Sequence, residues 1–516
     1  MPSTCAPRAL RPRSNGQRLA LLLLTMCASV ATAQADYGFD FAYAPRGYAY
    51  DPFGTLGGSS AALGGRHVQL PSGEIVVSGR ARLATDPVAP YWNIGLVRYR
   101  RFSGRVGWEG PPGPYFWQDR DYVVYPNLQN GGTGYTRIES IDDIAWAEGK
   151  FYVLVTRLFS MAPVDRDVAV VVFNEDGTLH QNLDVVAANV DEYGIALDVK
   201  VTQLLAKPVA VTVLAQRNAP GPRMVVAKYN LGSNGFLAAD GGFNGGVPLQ
   251  LPITSNCEGS GACNVVAGDL ARPQRLNGDA MPIYAVGSVQ RAGTDWDYMV
   301  ARIGANGVLD TAFGVGGVRY IPFDEPASDR GDFAWATHIE SSTFGSEDRI
   351  YVAGNVNRSC KGGIGVVALG ANGLDLGGFG ANGRVVYGGS TETGAVCNQD
   401  TTHYATQLVQ QGSELALAGV AVGMDPAGAS FSDGLLLRID AGNGSLRNLS
   451  TLPALDPDSG ARVGRVGLWG ISAYGNGQYM VSGEISSPDV SAYVTARLQP
   501  ADRIYADAFD VQVPQR

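Results

Sequence analysis

An all-β fold, a β-propeller of about seven blades each built from four antiparallel strands, is predicted by three observations: the composition, one strand pattern that recurs seven times, and the turns between strands. The chain of 516 residues holds 68 Gly, 28 Pro and 23 Tyr, with 17% charged residues beside 45% hydrophobic ones. Many tight turns between short buried strands give that mixture. Long helices draw on Lys and Glu, whereas Lys stands at only five positions, Lys150, Lys200, Lys207, Lys228 and Lys361.

The recurring pattern is a short apolar run ending on a small residue: Ile75–Gly79, Tyr152–Thr156, Val211–Ala215, Ile283–Gly287, Ile350–Gly354, Leu415–Gly419 and Tyr479–Gly483. Successive copies end 77, 59, 72, 67, 65 and 64 residues apart, so a fixed unit carries loops of unequal length. Polar or Gly-containing turns precede most copies, such as Pro71-Ser72-Gly73-Glu74 and Gly475-Asn476-Gly477-Gln478, and mark hairpins with an earlier strand. Those partner strands include Ile144-Ala145-Trp146, Thr337-His338-Ile339, Gln407-Leu408-Val409 and Trp469-Gly470-Ile471.

A third run follows each copy, among them Val168–Phe173, Tyr298–Ile303 and Ile364–Leu369, and several close on Asn-Gly or Asp-Gly turns that supply positive φ. Val318–Ile321 and Arg384–Tyr387 read as fourth strands. A small sheet with two apolar faces cannot stand alone. Seven of them packed face to face around an axis bury both faces, which an open solenoid of shorter repeats or a string of sandwiches does not explain. The last unit lacks a clear fourth strand, and the alternating segment Tyr37–Tyr43 is expected to complete it and close the ring.

Arg8, Arg11, Arg13 and Arg18 precede the apolar run Leu19–Val30 and the small-residue pattern Ala31-Thr32-Ala33, the three-part form of a secretory signal peptide. The apolar run is too short to cross a hydrocarbon core of about 30 Å. The expected organisation is a signal peptide over 1–33, one propeller domain over 34–500 and a C-terminal tail over 501–516, with the protein secreted, periplasmic or on the outer cell surface. Loss of residues 1–33 moves the formal net charge from −9 to −13, which disfavours nucleic acid and anionic lipid as partners. Four cysteines remain, Cys257, Cys263, Cys360 and Cys397; disulfides are expected, proximity favouring Cys257 with Cys263 and Cys360 with Cys397 among three possible pairings.

The segment Asp297–Gly317, with Leu309-Asp310-Thr311-Ala312-Phe313-Gly314-Val315-Gly316-Gly317, resembles the delta-60 repeat, a bacterial β-propeller-type repeat. Ala371-Asn372-Gly373-Leu374-Asp375 with Phe379-Gly380-Ala381-Asn382-Gly383, and Gly242-Phe243-Asn244-Gly245-Gly246, echo it, so the likeness covers roughly 240–390. The resemblance implies a secreted or surface propeller and supplies no catalytic residues. Asp502–Asp510 resembles a short tail found on exported proteins of some Gram-negative bacteria.

Chemistry-bearing motifs are sparse. His67, His180, His338 and His403 are isolated and read as structural; no nucleophile elbow or phosphate loop occurs. Asp142-Asp143, Asp295 with Asp297, and Asp456 with Asp458 are oxygen-rich pairs of the kind Ca²⁺ uses, but without a full loop they read as solvated turn acids, and no cofactor is expected. Trp146, Trp335 and Trp469 fall near first strands, which line a propeller's channel, and are the candidate ligand contacts. The expected function is a monomeric binding module for an extracellular protein or glycan, recognition falling to loops on one face of the ring; the alternative is a secreted hydrolase or lyase with a Ca²⁺-assisted channel site.

Overall fold

The computed structural model describes residues 37–500, except 40–47, 52–61, 82–91, 101–103, 106–116, 120–121, 126–136, 162, 187–189, 203–206, 219–220, 255–256, 258–262, 274–280, 292–294, 324–330, 342–347, 359–360, 388–401, 425–427, 454–461, 463, 476 and 487–490. The expected signal peptide, the tail, the Cys360–Cys397 bridge and the Asp456/Asp458 pair therefore lie outside the described residues. No helix among them is long and apolar enough to cross a membrane.

Seven antiparallel sheets stand in a ring. Strands β1 (Tyr37–Phe39) and β2 (Tyr48–Asp51) come first in the chain and belong to the last sheet. Blade 1 follows with β3 (Ala62–Gln69), β4 (Ile75–Ala81), β5 (Asn93–Arg100), β6 (Gly104–Arg105), β7 (Trp117–Asp119) and β8 (Tyr122–Tyr125). Blade 2 is β9 (Arg137–Ala147), β10 (Lys150–Met161), β11 (Val164–Asn174) and β12 (Leu179–Val186). Blade 3 is β13 (Glu192–Thr202), β14 (Lys207–Arg217), β15 (Arg223–Leu231), β16 (Leu237–Ala239) and β17 (Leu249–Gln250). Blade 4 is β18 (Val265–Ala271), β19 (Ile283–Gln290), β20 (Trp296–Ile303) and β21 (Val318–Ile321). Blade 5 is β22 (Phe333–Glu340), β23 (Arg349–Arg358), β24 (Lys361–Gly370) and β25 (Arg384–Tyr387). Blade 6 is β26 (Thr402–Gln411), β27 (Glu414–Met424), β28 (Ser430–Asp440) and β29 (Leu446–Leu452). Blade 7 is β30 (Arg465–Gly475), β31 (Gln478–Ser486) and β32 (Ser491–Pro500).

Each sheet runs from an inner first strand outward, and every recurring apolar run of the sequence is a second strand. First strands of successive blades adjoin one another around the axis, the last of them, β30, meeting β3. The ring closes on the N-terminal chain as expected, although residues 40–43 of the expected segment lie outside the described residues: Tyr37 pairs with Pro500 and Phe39 with Leu498, and a second strand beyond that segment adds the pair Tyr48 with Ala496. The N-terminal strands thus supply the outer edge that blade 7 lacks, and the two ends of the ring are held by a ladder rather than by a loop.

Alternate residues of each strand feed the two flanking cores. In β19, Ile283 and Ala285 pack toward blade 3, whereas Tyr284 and Val286 pack toward blade 5. The delta-60-like residues have a plain physical role in this packing. Phe243, Phe313 and Phe379 are almost fully buried between blades. The residue after each donates its N–H to a turn carbonyl of the next blade, Asn244 to Asn306 at 3.0 Å, Gly314 to Asn372 at 3.2 Å and Gly380 to Asn443 at 2.9 Å. The next turn's glycine lies against the same ring: a Cβ at Gly373, where φ is +81°, would sit 3.0 Å from Phe313. Glycine is needed there for both its φ and its bareness.

The Cys257–Cys263 disulfide is formed, with Cα atoms 5.5 Å apart, and Cys263 packs in the core between blades 3 and 4.

Candidate functional site

Every first strand carries a break in register against its second strand, and the seven breaks fall at one level of the ring. In blades 1 to 3 they lie at Gly65-Arg66, Asp142 and Ile195. In blades 4 to 7 they lie at Gly268, Trp335, Thr406 and Trp469. A bulge re-aims side chains and leaves one residue unpaired. All of these residues line a single cavity of about 880 Å³ to which all seven blades contribute.

The small residue that ends each recurring apolar run, in the middle of its second strand, makes the bulge possible. A Cβ at Gly354 would lie 2.0 Å from the Phe333 carbonyl oxygen, at Gly419 2.0 Å from that of Tyr404, and at Gly483 1.8 Å from that of Gly467. In blades 1 and 4 to 7 the bulge tips a first-strand carbonyl onto a second-strand glycine, whose missing side chain leaves room for it. Blade 2 has Thr156 instead, and its hydroxyl is put to use: it donates to Asp142 Oδ2 at 2.7 Å and accepts the Gly194 N–H at 2.9 Å.

The next residue of several first strands bolts neighbouring blades together. Asp143 accepts the Leu197 N–H at 2.8 Å, Asp269 accepts that of Thr337 at 2.8 Å, and Gln407 accepts that of Ile471 at 2.7 Å. Blade 7 joins blade 1 through His67, whose ring nitrogens lie 2.7 Å from the Ser472 and Ser482 hydroxyls. Burial lowers His67 to about 4, so the ring is neutral and structural, as isolated histidines were expected to be.

Arg66 crosses the axis. Its Nη1 lies 3.1 Å from Asp143 Oδ2 on blade 2 and 3.9 Å from Asp269 Oδ1 on blade 4. Burial would lower the guanidinium, but the two carboxylates outweigh it and hold it above its ordinary value. Burial also raises Asp143, and pushes Asp269 up to about 6, against the pull of Arg66. Asp142 accepts the Ser140 hydroxyl at 2.6 Å as well as that of Thr156, yet burial pushes it up to about 7. Asp142 and Asp143 are therefore not solvated turn acids: both lie in the middle of β9, where their oxygens are tied to hydroxyls, backbone N–H groups and Arg66.

The cavity has three arcs. On blades 1, 2 and 7 lie Arg66, Arg80, Asp142, Ser140 and Glu484. On blades 3 and 4 lie small or aliphatic residues, Gly194, Ile195, Ala267 and Gly268. On blades 5 to 7 lie Phe333, Trp335, Tyr404 and Trp469, with Asn355 and Thr406 among them. The Phe333 and Trp335 rings are stacked, 5.8 Å apart and 16° from parallel, and Trp469 is 37% exposed.

Of the three sequence-designated tryptophans, Trp335 and Trp469 fall on this wall. Trp146 lies four positions past its bulge, packed against the core between blades 1 and 2. Arg66, Arg80, Glu484, Phe333 and Tyr404 went unnoticed in the sequence; counting back from each hairpin turn to the bulge level would have found the first-strand members. Of the Asp295/Asp297 pair, Asp297 is buried and ion-paired with Arg291 at 3.1 Å. Among the described residues, no group of three or more His, Cys, Asp and Glu is placed to hold a metal ion.

No family model matches the chain, and no curated protein does; the likeness to the delta-60 repeat stays with the residues that carry it. Among solved structures, the chain is similar to a protein of unknown function from Dyadobacter fermentans, at 7% identity and TM-score 0.37 over 86% of this chain and 95% of that one. A Trypanosoma rangeli sialidase mutant displaying trans-sialidase activity is similar at 10% identity and TM-score 0.34, over 78% of this chain and 58% of that one. A B. megaterium levansucrase mutant is similar at 8% identity and TM-score 0.33, over 83% and 95%. Likenesses so distant carry no argument about activity, and the architecture is established by the seven sheets themselves: the chain is an all-β propeller of seven blades.

Proposed function

We propose that this chain is a secreted or cell-surface binding module, the mature propeller running over 34–500, and that its axial cavity takes a carbohydrate. The observation that carries the reading is the presence of two kinds of wall in one cavity of about 880 Å³: aromatic faces on blades 5 to 7, and charged and hydroxyl groups on blades 1 and 2. A sugar ring has an apolar face for stacking and a rim of hydroxyls for planar polar partners, and such a cavity falls in the size range of small-molecule sites.

Calorimetric titration of the mature protein with a panel of neutral and acidic oligosaccharides tests it. Trp469→Ala and Trp335→Ala should each weaken binding about three- to tenfold, the worth of an aromatic contact. Absence of binding across the panel, or affinities indifferent to both substitutions, rejects the reading. One observation favours the hydrolase alternative: a carboxyl held near 7 in a cavity is suited to general acid work, and Asp142 is such a group. Release of reducing ends in the same mixtures separates the two.

A further inference from the structure

The two arginines of the polar arc are built differently from surface cations, and their arrangement narrows the class of saccharide. Arg66 makes both of its carboxylate contacts through Nη1. Nε and Nη2 of the same planar fork have no hydrogen-bond partner among the described residues, and Arg66 lines the cavity. Arg80, on the second strand of the same blade, donates one hydrogen bond from Nη1 to the Glu139 carbonyl at 2.5 Å and lies over the Trp92 ring at 4.9 Å. Its Nε and Nη2 likewise have no partner among the described residues. Two guanidinium forks thus present unused donor edges to the cavity that also holds the aromatic wall.

We propose that the cavity selects acidic saccharides, a sugar carboxylate seating on Arg66 and Arg80 while the ring face lies on the aromatic wall. The inference rests on the carbohydrate reading above and sharpens it. A planar carboxylate matches a guanidinium fork bidentately, whereas a hydroxyl uses one donor at a time.

The surrounding charges agree with an anion. Burial holds the Arg80 guanidinium below its ordinary value despite Glu484, Glu139 and Asp142, the sign of a cation whose neighbours undercompensate it. Burial weakens the opposition of the two acids in the lining to an anion in mildly acid solution. Burial raises Glu484 against the pull of Arg80 and brings Asp142 to about 7. Asp143 and Asp269 lie on the far side of Arg66, already bound to backbone N–H groups of blades 3 and 5.

The experiment compares trigalacturonic acid with its fully methyl-esterified form, which keeps the shape and removes the charge. By titration calorimetry at pH 6, the acid should bind at least tenfold more tightly than the ester. Arg80→Gln should remove most of the acid's advantage over the ester, Arg66 keeping the remainder, and Arg80→Lys should restore only part of the difference because a point charge replaces the fork. Affinity for the acid should fall as pH rises from 6 to 8.5, as Asp142 ionises beside it, with the ester unaffected. Equal affinity for acid and ester, or a preference undiminished by Arg80→Gln, overturns the acidic-saccharide inference and leaves the carbohydrate reading standing. Binding of neutral oligosaccharides without either uronate does the same. Failure of every saccharide removes both.

Discussion

Replacing Arg66 by Met keeps most of the side chain's volume and removes the charge that spans the axis. The Arg66 side chain is 13% exposed, and those of Asp143 and Asp269 are 9% exposed. At an effective dielectric of about 20, contacts at these separations amount to roughly 4–5 kcal/mol each, and desolvation of the three groups cancels a large part. What the substitution exposes is the asymmetry: two buried carboxylates lose their cation while keeping the burial cost, for which about 3–5 kcal/mol is the usual loss. The backbone N–H groups of Ile144, Leu197, Leu270 and Thr337 still bind the two acids, which argues for the lower end. The pH dependence has a definite sign. Asp269 sits near 6 in the folded chain, above its unfolded value of about 3.9, so its ionisation already costs stability as pH rises toward 6. Without Arg66 that folded value climbs further, so the gap between wild type and variant widens above pH 6 and narrows as pH falls toward 4. Urea unfolding followed by tryptophan fluorescence at pH 7.5 and pH 4.5 measures both gaps, and adding Asp143→Asn should recover part of the loss at pH 7.5. A loss under about 1 kcal/mol at pH 7.5, or equal losses at the two pH values, would refute the axial ion-pair argument.

Two further outcomes follow from the closure of the ring and from its bulges. Gly354→Ala drives a Cβ to 2.0 Å from the Phe333 carbonyl and should cost about 1–3 kcal/mol by overpacking, whereas Gly377→Ala, with nothing within 4 Å, should stay within about 0.5 kcal/mol; equal urea midpoints for the two variants would show that the bulge does not need glycine. Deleting residues 36–50 removes the strands that pair with β32 and should lower the melting temperature sharply; an unchanged melt would mean the ladder between the chain's two ends does not hold the ring.

What the sequence disclosed and what it hid divide along the distance over which the physics acts. The second strands are buried on both faces, so Ile350–Gly354 and its six counterparts read as continuous apolar runs without any tertiary knowledge. The turn glycines and Phe313 or Phe379 are likewise local, because each serves a hairpin or its immediate neighbour. The bulges are not local: a slip of one residue changes which face every later side chain meets. Three tryptophans near first strands therefore looked equivalent, although Trp335 and Trp469 occupy the bulge and Trp146 lies past it in the packing. The adjacent carboxyls of Asp142-Asp143 resembled a turn for the same reason. Their partners are Thr156 on the second strand of the same blade and Leu197, which is reached only when blades 2 and 3 meet. Arg66 is the extreme case, since Asp269 comes within 3.9 Å only across a closed ring three blades on. An arginine between two glycines and a histidine gives no hint of this in isolation. The scaffold was thus readable residue by residue, while the site depends on closure, and a ring that failed to close would lose the cavity floor along with its last ladder.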